Sequence, residues 1–373
     1  MAFISFSGNQ YNVVSEKAKA ASFDEIPLID LSLPKDEIVK RVRDACTRVG
    51  FMYIQNHNVP QEVIDSVFKS GKEFFSLGRK AKEAVHFKNV KSFKGYESMG
   101  GVYTDETKKP DLNEAFSWGY AEEMDFLHPS PASSPSTTKH SDLEFMHGAN
   151  QWPSSLPGLK PDVSTYFSHI LILARRLIRL FALALNLPET YFDSMMARPG
   201  TMGKMLHYPT QSPTSQVAEA LGIGAHTDIE CFTILCQDNS VPGLQVLNQK
   251  GEWILAPPKP GTFVINIGDM LARWSNDTFL STVHRVLNIT GQERYSLPVF
   301  MGPSYETILK PLETCVSEER PARYEPISAG LYVWKRLAVS RLNKEEFEKQ
   351  LAQFEEAKVD VHVHGADVVE VVG

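Results

Sequence analysis

Apolar positions recur every three or four residues in some stretches of the chain and fall into short runs or alternations in others. Between Lys35 and Val49, the residues Ile38, Val42, Ala45 and Val49 make one stripe at helical spacing. Gly50 follows at a C-cap position. A second helix is predicted from Val59-Pro60-Gln61 to about Phe75, burying Val63, Val67 and Phe74. A third spans about Ser164 to Leu185, and a helical tail runs from about Leu331 to Ala357. Ile26–Leu31 and Phe51–Ile54 read as short strands in the first half.

After Pro199-Gly200 the pattern changes to short segments broken by Gly, Pro and Asn. Strands are expected at Lys204–His207, Ile223–His226, Cys231–Gln237, Gly243–Leu247, Trp253–Leu255, Thr262–Ile267, Thr282–Leu287 and Arg294–Phe300. Many short strands with regular turns indicate a sandwich or barrel. The expected division is an irregular lead-in over 1–24, a helix-rich region over 25–128, and a Ser/Pro-rich loop over 129–141. Helical support over 142–199, a β core over 200–305 and a helical tail over 306–373 complete it.

Strand periodicity brings chemistry into this pattern. In His226-Thr227-Asp228, the first and third side chains share a face and the second points away. Residues 229–283 then leave room for four strands, enough to return the chain with His284 beside His226. Two imidazoles and one carboxylate with open positions form the facial triad of non-haem Fe(II) oxygenases. A structural His–Asp hydrogen bond is the competing reading of the residues alone. Arg294 and Ser296 form a second i, i+2 pair, followed by the apolar Leu297-Pro298-Val299-Phe300. A guanidinium fork matches a carboxylate at two points, and a Ser hydroxyl adds a donor. An ordinary surface salt bridge, worth about 0–1 kcal/mol, is the alternative for Arg294.

Composition narrows the partners. The chain has 373 residues and a net charge of −7, which disfavours nucleic acid, because phosphate contacts need a basic surface. Its four cysteines, Cys46, Cys231, Cys236 and Cys315, make no CxxC pair, so a reducing cytoplasm is expected. MAFISFSGNQYNVV lacks a secretory pattern. The apolar run from Ile170 to Leu185 contains Arg175, Arg176 and Arg179, each costing about 2.5–3.5 kcal/mol in a bilayer core. A core-packed helix with its arginines in solvent is expected instead.

GAHTD (224–228), GDML (268–271), STVHRV (281–286) and RYSLP (294–298) resemble the 2-oxoglutarate and Fe(II)-dependent dioxygenases related to isopenicillin N synthase. IPLIDLS (26–32), GFMYIQNHNVP (50–60), FFSL (74–77), FKGY (93–96), DLNEAFSWG (111–119) and HYP (207–209) extend the resemblance over residues 25 to 340. It implies mixed α and β structure, with a distorted double-stranded β-helix (jelly-roll) core and flanking helices. It implies Fe(II) bound by His226, Asp228 and His284, and 2-oxoglutarate held by Arg294, Ser296 and Tyr208. The implied chemistry uses O2, converts 2-oxoglutarate to succinate and CO2, and attacks a C–H bond. Hydroxylation, desaturation, epoxidation or ring formation are the outcomes. One departure stands at Leu206, where many plant members carry Asn two residues before the Tyr.

The expected substrate is a small, largely apolar metabolite of specialised metabolism, with no nucleic-acid or membrane partner. Phe300, Lys204, Tyr96 and Phe116 are candidate substrate contacts, each with core packing as its alternative. Gly302 leaves room beyond Phe300, and Met99-Gly100-Gly101 is a candidate lid hinge. His362-x-His364 in the tail is a weak metal candidate. A relative that oxidises without 2-oxoglutarate and a non-catalytic sensor on the same fold remain as alternatives.

Overall fold

The computed structural model describes residues 2–4, 10–20, 25–90, 92–101, 111–127, 148–211, 221–238, 241–288 and 290–341, with single positions at 345, 348, 349 and 352. The Ser/Pro-rich loop at 129–141 and the His362/His364 pair lie outside the described residues. The lead-in, expected to be irregular, contains three short strands: β1 (Ala2–Ile4), β2 (Gln10–Asn12) and β3 (Ser15–Ala20). Strand β3 has almost no hydrophobic pattern. It forms because the open edge of a later strand offers backbone donors and acceptors to any extended segment.

The first half then runs β4 (Leu28–Asp30), α1 (Lys35–Arg48), β5 (Phe51–Gln55), α2 (Gln61–Ser76) and α3 (Arg79–Glu83). Helix α1 buries Ile38, Val42, Ala45 and Cys46 and carries Asp36 and Glu37 in its first turn, where they suit the helix dipole. Gly50 ends it at φ +72°, and its amide reaches back to the Ala45 carbonyl. A Cβ there would lie 2.3 Å from the Leu280 carbonyl oxygen, so both backbone and space require glycine. Two further strands follow, β6 (Gly95–Glu97) and β7 (Glu114–Gly119), in a region expected to be helix-rich. All six residues of β7 are buried, so the strand shows no alternation to read.

Helix α4 (Leu159–Ala184) is the long helix beneath the sheet. Its arginines are not simply in solvent. Arg175 forms an ion pair with fully buried Asp125, and Arg176 donates to the Leu31 carbonyl, while Arg179 meets Asp193 at the surface. Burial of the helix on both sides makes those pairings necessary. No helix among the described residues is long and apolar enough to cross a membrane.

The β core comprises β8 (Thr201–Tyr208), β9 (Leu221–His226), β10 (Phe232–Gln237), β11 (Leu244–Leu247), β12 (Glu252–Leu255) and β13 (Thr262–Ile267). Helix α5 (Asp269–Trp274), β14 (His284–Leu287) and β15 (Arg294–Met301) complete it. The small hairpin β16 (Ile308–Leu309) and β17 (Ile327–Ser328) leads into α6 (Ala329–Arg341).

Eight strands form one sheet in the order β4-β5-β13-β10-β15-β8-β7-β6, and five form a second, β3-β12-β11-β14-β9. Phe51, Tyr53, Leu206, Tyr208 and Val264 of the first pack against Leu244, Val246, Ile254 and Val286 of the second. The other face of the large sheet, including Phe232, Leu297, Val299 and Met301, packs with α1, α2 and α4. The result is a jelly-roll with helices outside it. Alternation along β15 therefore turns Arg294, Ser296 and Phe300 toward the small sheet.

Candidate functional site

His226 is the last residue of β9 and His284 the first of β14, and the two are register partners across these strands. The four strands β10 to β13 intervene, as the spacing predicts. Asp228 lies just past β9, where the chain crosses toward the large sheet. Its Oδ1 is 3.6 Å from the Nε2 atoms of both histidines. One ligand atom from each of the three residues lies within 4.8 Å of the others. Thr227 points the other way and donates to Asp269, the orientation expected from alternation, although the strand ends at His226.

The outer atoms of these side chains are already committed. His226 Nδ1 sits 2.8 Å from the Gly224 carbonyl, and His284 Nδ1 sits 3.2 Å from that of Thr282. A carbonyl only accepts, so each Nδ1 carries the proton and each Nε2 keeps its lone pair. Asp228 Oδ2 accepts from Thr233 on β10 and from Asn266 on β13, the latter at 2.7 Å. That leaves Oδ1 facing both lone pairs. Burial and the neighbouring His284 push the His226 ring down to about 4, which keeps it neutral. Burial opposes ionisation of Asp228, but His284, His226, Asn266 and Thr233 outweigh it and hold the carboxyl below its ordinary value. Two imidazoles presenting Nε2 and one carboxylate oriented from behind are a donor set that fits Fe(II).

The loop carrying Asp228 is pinned by α5. The Asp269 amide donates to the Asp228 carbonyl, and that of Met270 to Ile229. The Asp269 carboxylate accepts from Thr227 at 2.9 Å, from Ser281 at 2.5 Å and from Arg336 of α6 at 2.5 Å. One buried carboxylate thus joins both histidine segments to the C-terminal helix.

Arg294 lies farther inside, 1% exposed, with its guanidinium 4.8 Å from the centre of the Tyr208 ring. It donates to Gln237 at 3.1 Å and weakly to Ser296 at 3.4 Å, and its Nε has no partner. Among the described residues no carboxylate pairs with it. A buried cation without a counter-charge is costly, so the group fits an anionic ligand that completes it. Burial pushes the Tyr208 hydroxyl up, so it stays protonated beside Ser296 and Arg294. Gly222 makes the seat for that phenol: a Cβ there would lie 2.6 Å from the ring. Leu206 is buried among Tyr208, Leu244, Val246 and Val286, so its position supplies no polar contact.

The four proposed substrate contacts divide. Phe300 pairs with Thr233, the donor to Asp228, and is half-buried on the inner face. Lys204 is also on the inner face and is held by both oxygens of Glu97, at 2.9 and 2.8 Å. Tyr96 and Phe116 do not join the site. They are register partners whose side chains point toward the helices. Phe116 packs on Phe74 and Trp152, and the Tyr96 hydroxyl donates to Glu114 at 2.6 Å. Strand parity decides this, because Ala115 takes the inward position on β7. Met99-Gly100-Gly101 forms a tight turn closed by the Gly101 amide on Ser98.

Thr233, Asn266, Gln237, Asp269, Glu97 and Glu230 enter the neighbourhood without having stood out in the sequence. Thr233 and Asn266 are register partners, and no periodicity reveals which strands become neighbours. Asp269 lies inside the GDML run, where the motif was the available signal. Burial pushes the Glu230 carboxyl up to about 7, and the Asp228 charge adds to that.

Comparison with known proteins agrees with this geometry. Residues 26–155 match the "non-haem dioxygenase in morphine synthesis N-terminal" family, and residues 201–303 match the 2OG-Fe(II) oxygenase superfamily. A "2-oxoglutarate-Fe(II) type oxidoreductase ppzC" of Metarhizium rileyi (strain RCEF 4871) is 37% identical, covering 84% of this chain and 87% of the relative. A "Homoarginine-6-hydroxylase 2-ODD-C23" of Glycine max is 35% identical over 79% of this chain and 90% of its own. A full-length Neurospora crassa protein, solved in complex with alpha-KG and thymine, superposes with a TM-score of 0.72 at 28% identity, covering 86% of this chain and 99% of that one.

Proposed function

This chain belongs to the 2-oxoglutarate/Fe(II)-dependent oxygenases, and from that premise we propose that it oxidises a C–H bond of a small metabolite at a centre formed by His226, Asp228 and His284. The observation that carries the assignment is the convergence of two Nε2 lone pairs on the one free oxygen of Asp228. When bound, Fe(II) with 2-oxoglutarate and O2 supplies the oxidising power, releasing succinate and CO2.

The protein residues supply position. His226, Asp228 and His284 would hold Fe(II), each through one atom directed into the interior. Arg294 and Ser296 take the far carboxylate of 2-oxoglutarate, with the Tyr208 hydroxyl as a further donor. Leu206, Leu244, Val246 and Val286 surround Tyr208 and exclude water from that pocket. Phe300 and Lys204 face the substrate side.

A small molecule is favoured over nucleic acid by the net charge of −7. The reducing cytoplasm suits four cysteines that are all buried and unpaired. The relatives given above, one named as a homoarginine hydroxylase and one solved with thymine, support a small-molecule substrate.

Succinate formation tests the reading. Wild-type protein with Fe(II), O2 and 2-oxoglutarate is expected to form succinate, and Asp228→Ala to lose both Fe(II) binding and succinate formation. Substrate oxidation without 2-oxoglutarate consumption would move the protein to the co-substrate-independent oxidases. Unchanged iron content in Asp228→Ala would remove the proposed metal centre.

A further inference from the structure

Among the described residues, two charged side chains of the inner face lack a counter-charge: Arg294, which faces the co-substrate, and Glu230. Glu97 holds Lys204 through both oxygens, with the two side chains 6% and 15% exposed. Asp269 holds Arg336, again with little exposure. Asp228 faces the metal position. Glu230 has no such partner. It is 8% exposed, and among the described residues its carboxylate forms neither a hydrogen bond to another residue nor an ion pair.

Its place is defined by what surrounds it. Glu230 is two residues beyond Asp228 on the loop into β10, and its charge acts on Asp228, Lys204 and Arg336. Its Cγ lies 3.6 Å from where a Cβ would stand on Gly302, just past Phe300 on the inward face of β15. The expected room beside Gly302 is thus taken by the Gly200 carbonyl oxygen, 2.9 Å from that Cβ position, and by this acidic side chain. Both nearby cations already hold other carboxylates, and among the described residues neither forms an ion pair with Glu230.

A buried carboxylate without a counter-ion is unfavourable as the anion: it takes up a proton, the direction in which burial pushes Glu230, or a cationic ligand completes it. This is the same incompleteness that marks Arg294, with the opposite sign and on the other side of the metal position. We infer that Glu230 is the specificity anchor for substrate: it takes a cationic nitrogen group, an ammonium or guanidinium, on a molecule whose apolar part lies along Phe300 toward the metal. The inference deepens the proposed function and rests on it. It also refines the expected largely apolar substrate to one carrying a single positive charge.

The test is equilibrium binding to the Fe(II)- and 2-oxoglutarate-loaded protein without oxygen, followed by calorimetry. The probes are n-hexylamine, hexan-1-ol and hexanoate, which share one chain and differ only in the head group. The amine is protonated at neutral pH. Wild type is expected to bind the amine at least about tenfold more tightly than either other probe, since hydrogen bonds to charged groups are the stronger ones. In Glu230→Gln that preference is expected to fall to about twofold or less, because the neutral isostere keeps shape and loses charge. Equal or tighter binding of the alcohol or the carboxylate, no measurable amine binding, or a preference that survives in Glu230→Gln would each overturn the inference. A parallel 2-oxoglutarate titration separates the two levels. If the wild-type protein binds 2-oxoglutarate and shows no amine preference, only the Glu230 assignment fails. If it does not bind 2-oxoglutarate at all, the proposed function fails with it.

Discussion

Asp228 divides its two oxygens between the metal position and the protein. Oδ1 faces the two imidazoles, while Thr233 and Asn266 hold Oδ2. If that division sets the ligand's orientation, removing either donor should loosen the carboxylate without removing a ligand. Thr233→Val and Asn266→Ala are each expected to weaken Fe(II) binding by about 10–100-fold, the usual size for groups that orient metal ligands. Anaerobic metal titration of the purified variants measures this. Wild-type affinity in both variants would show that Asp228 needs no support from behind. The three candidate ligands were legible in the sequence because strand alternation and one returning strand are local facts. Their orienting partners were not, because Thr233 and Asn266 meet only through the register of β10 with β13.

At the scale of elements, a buried polar cluster ties α2, α3 and β6–β8 together on the helix side of the large sheet. Glu114 of β7 accepts from Lys82 at 2.7 Å and from Tyr96 at 2.6 Å, and lies 2.9 Å from His207 Nδ1. Burial opposes the charge on Glu114, but hydrogen bonds from His207, Lys82 and Tyr96 outweigh it and hold the carboxyl down at about 2, against an ordinary 4.5. The folded value is depressed, so the stabilisation is fully present above pH 4.5 and is lost as pH falls through about 2. Glu114→Gln is therefore expected to cost about 1.5–3 kcal/mol at neutral pH. The gap between variant and wild type should close as pH falls from 4.5 to 2. Urea unfolding across that range checks the sign, and a gap independent of pH would mean that the charge contributes nothing. Tyr96 was expected near substrate and instead serves this cluster. Its motif was visible in the sequence, but the face it takes depends on pairing with β7, whose six buried residues hide their alternation.

For the whole molecule, the change from helices to short strands after Pro199-Gly200 was readable because most of those elements carry their own hydrophobic period, whereas β3 and β7 in the first half do not. The closure of two sheets over a shared interior was expected from the run of short strands and from the resemblance, which implied a jelly-roll, but the periods alone do not say which strands cross between the sheets. That closure places the metal position and Arg294 in one interior. Co-substrate binding should therefore depend on metal. With a redox-silent ion such as Mn(II) in place of Fe(II), metal alone is expected to raise the thermal midpoint. A site filled at 100 times its Kd adds about 2.7 kcal/mol to stability. Adding 2-oxoglutarate should raise the midpoint again, because it would bridge the metal to Arg294 and supply the missing counter-charge. In chelator-treated protein only the Arg294 contact remains, so the same 2-oxoglutarate concentration should give a small shift or none. A scan by differential calorimetry with four conditions, metal and co-substrate each present or absent, reads this directly. Equal 2-oxoglutarate shifts with and without metal would mean that the two halves of the site act independently, and that the shared interior does not couple them.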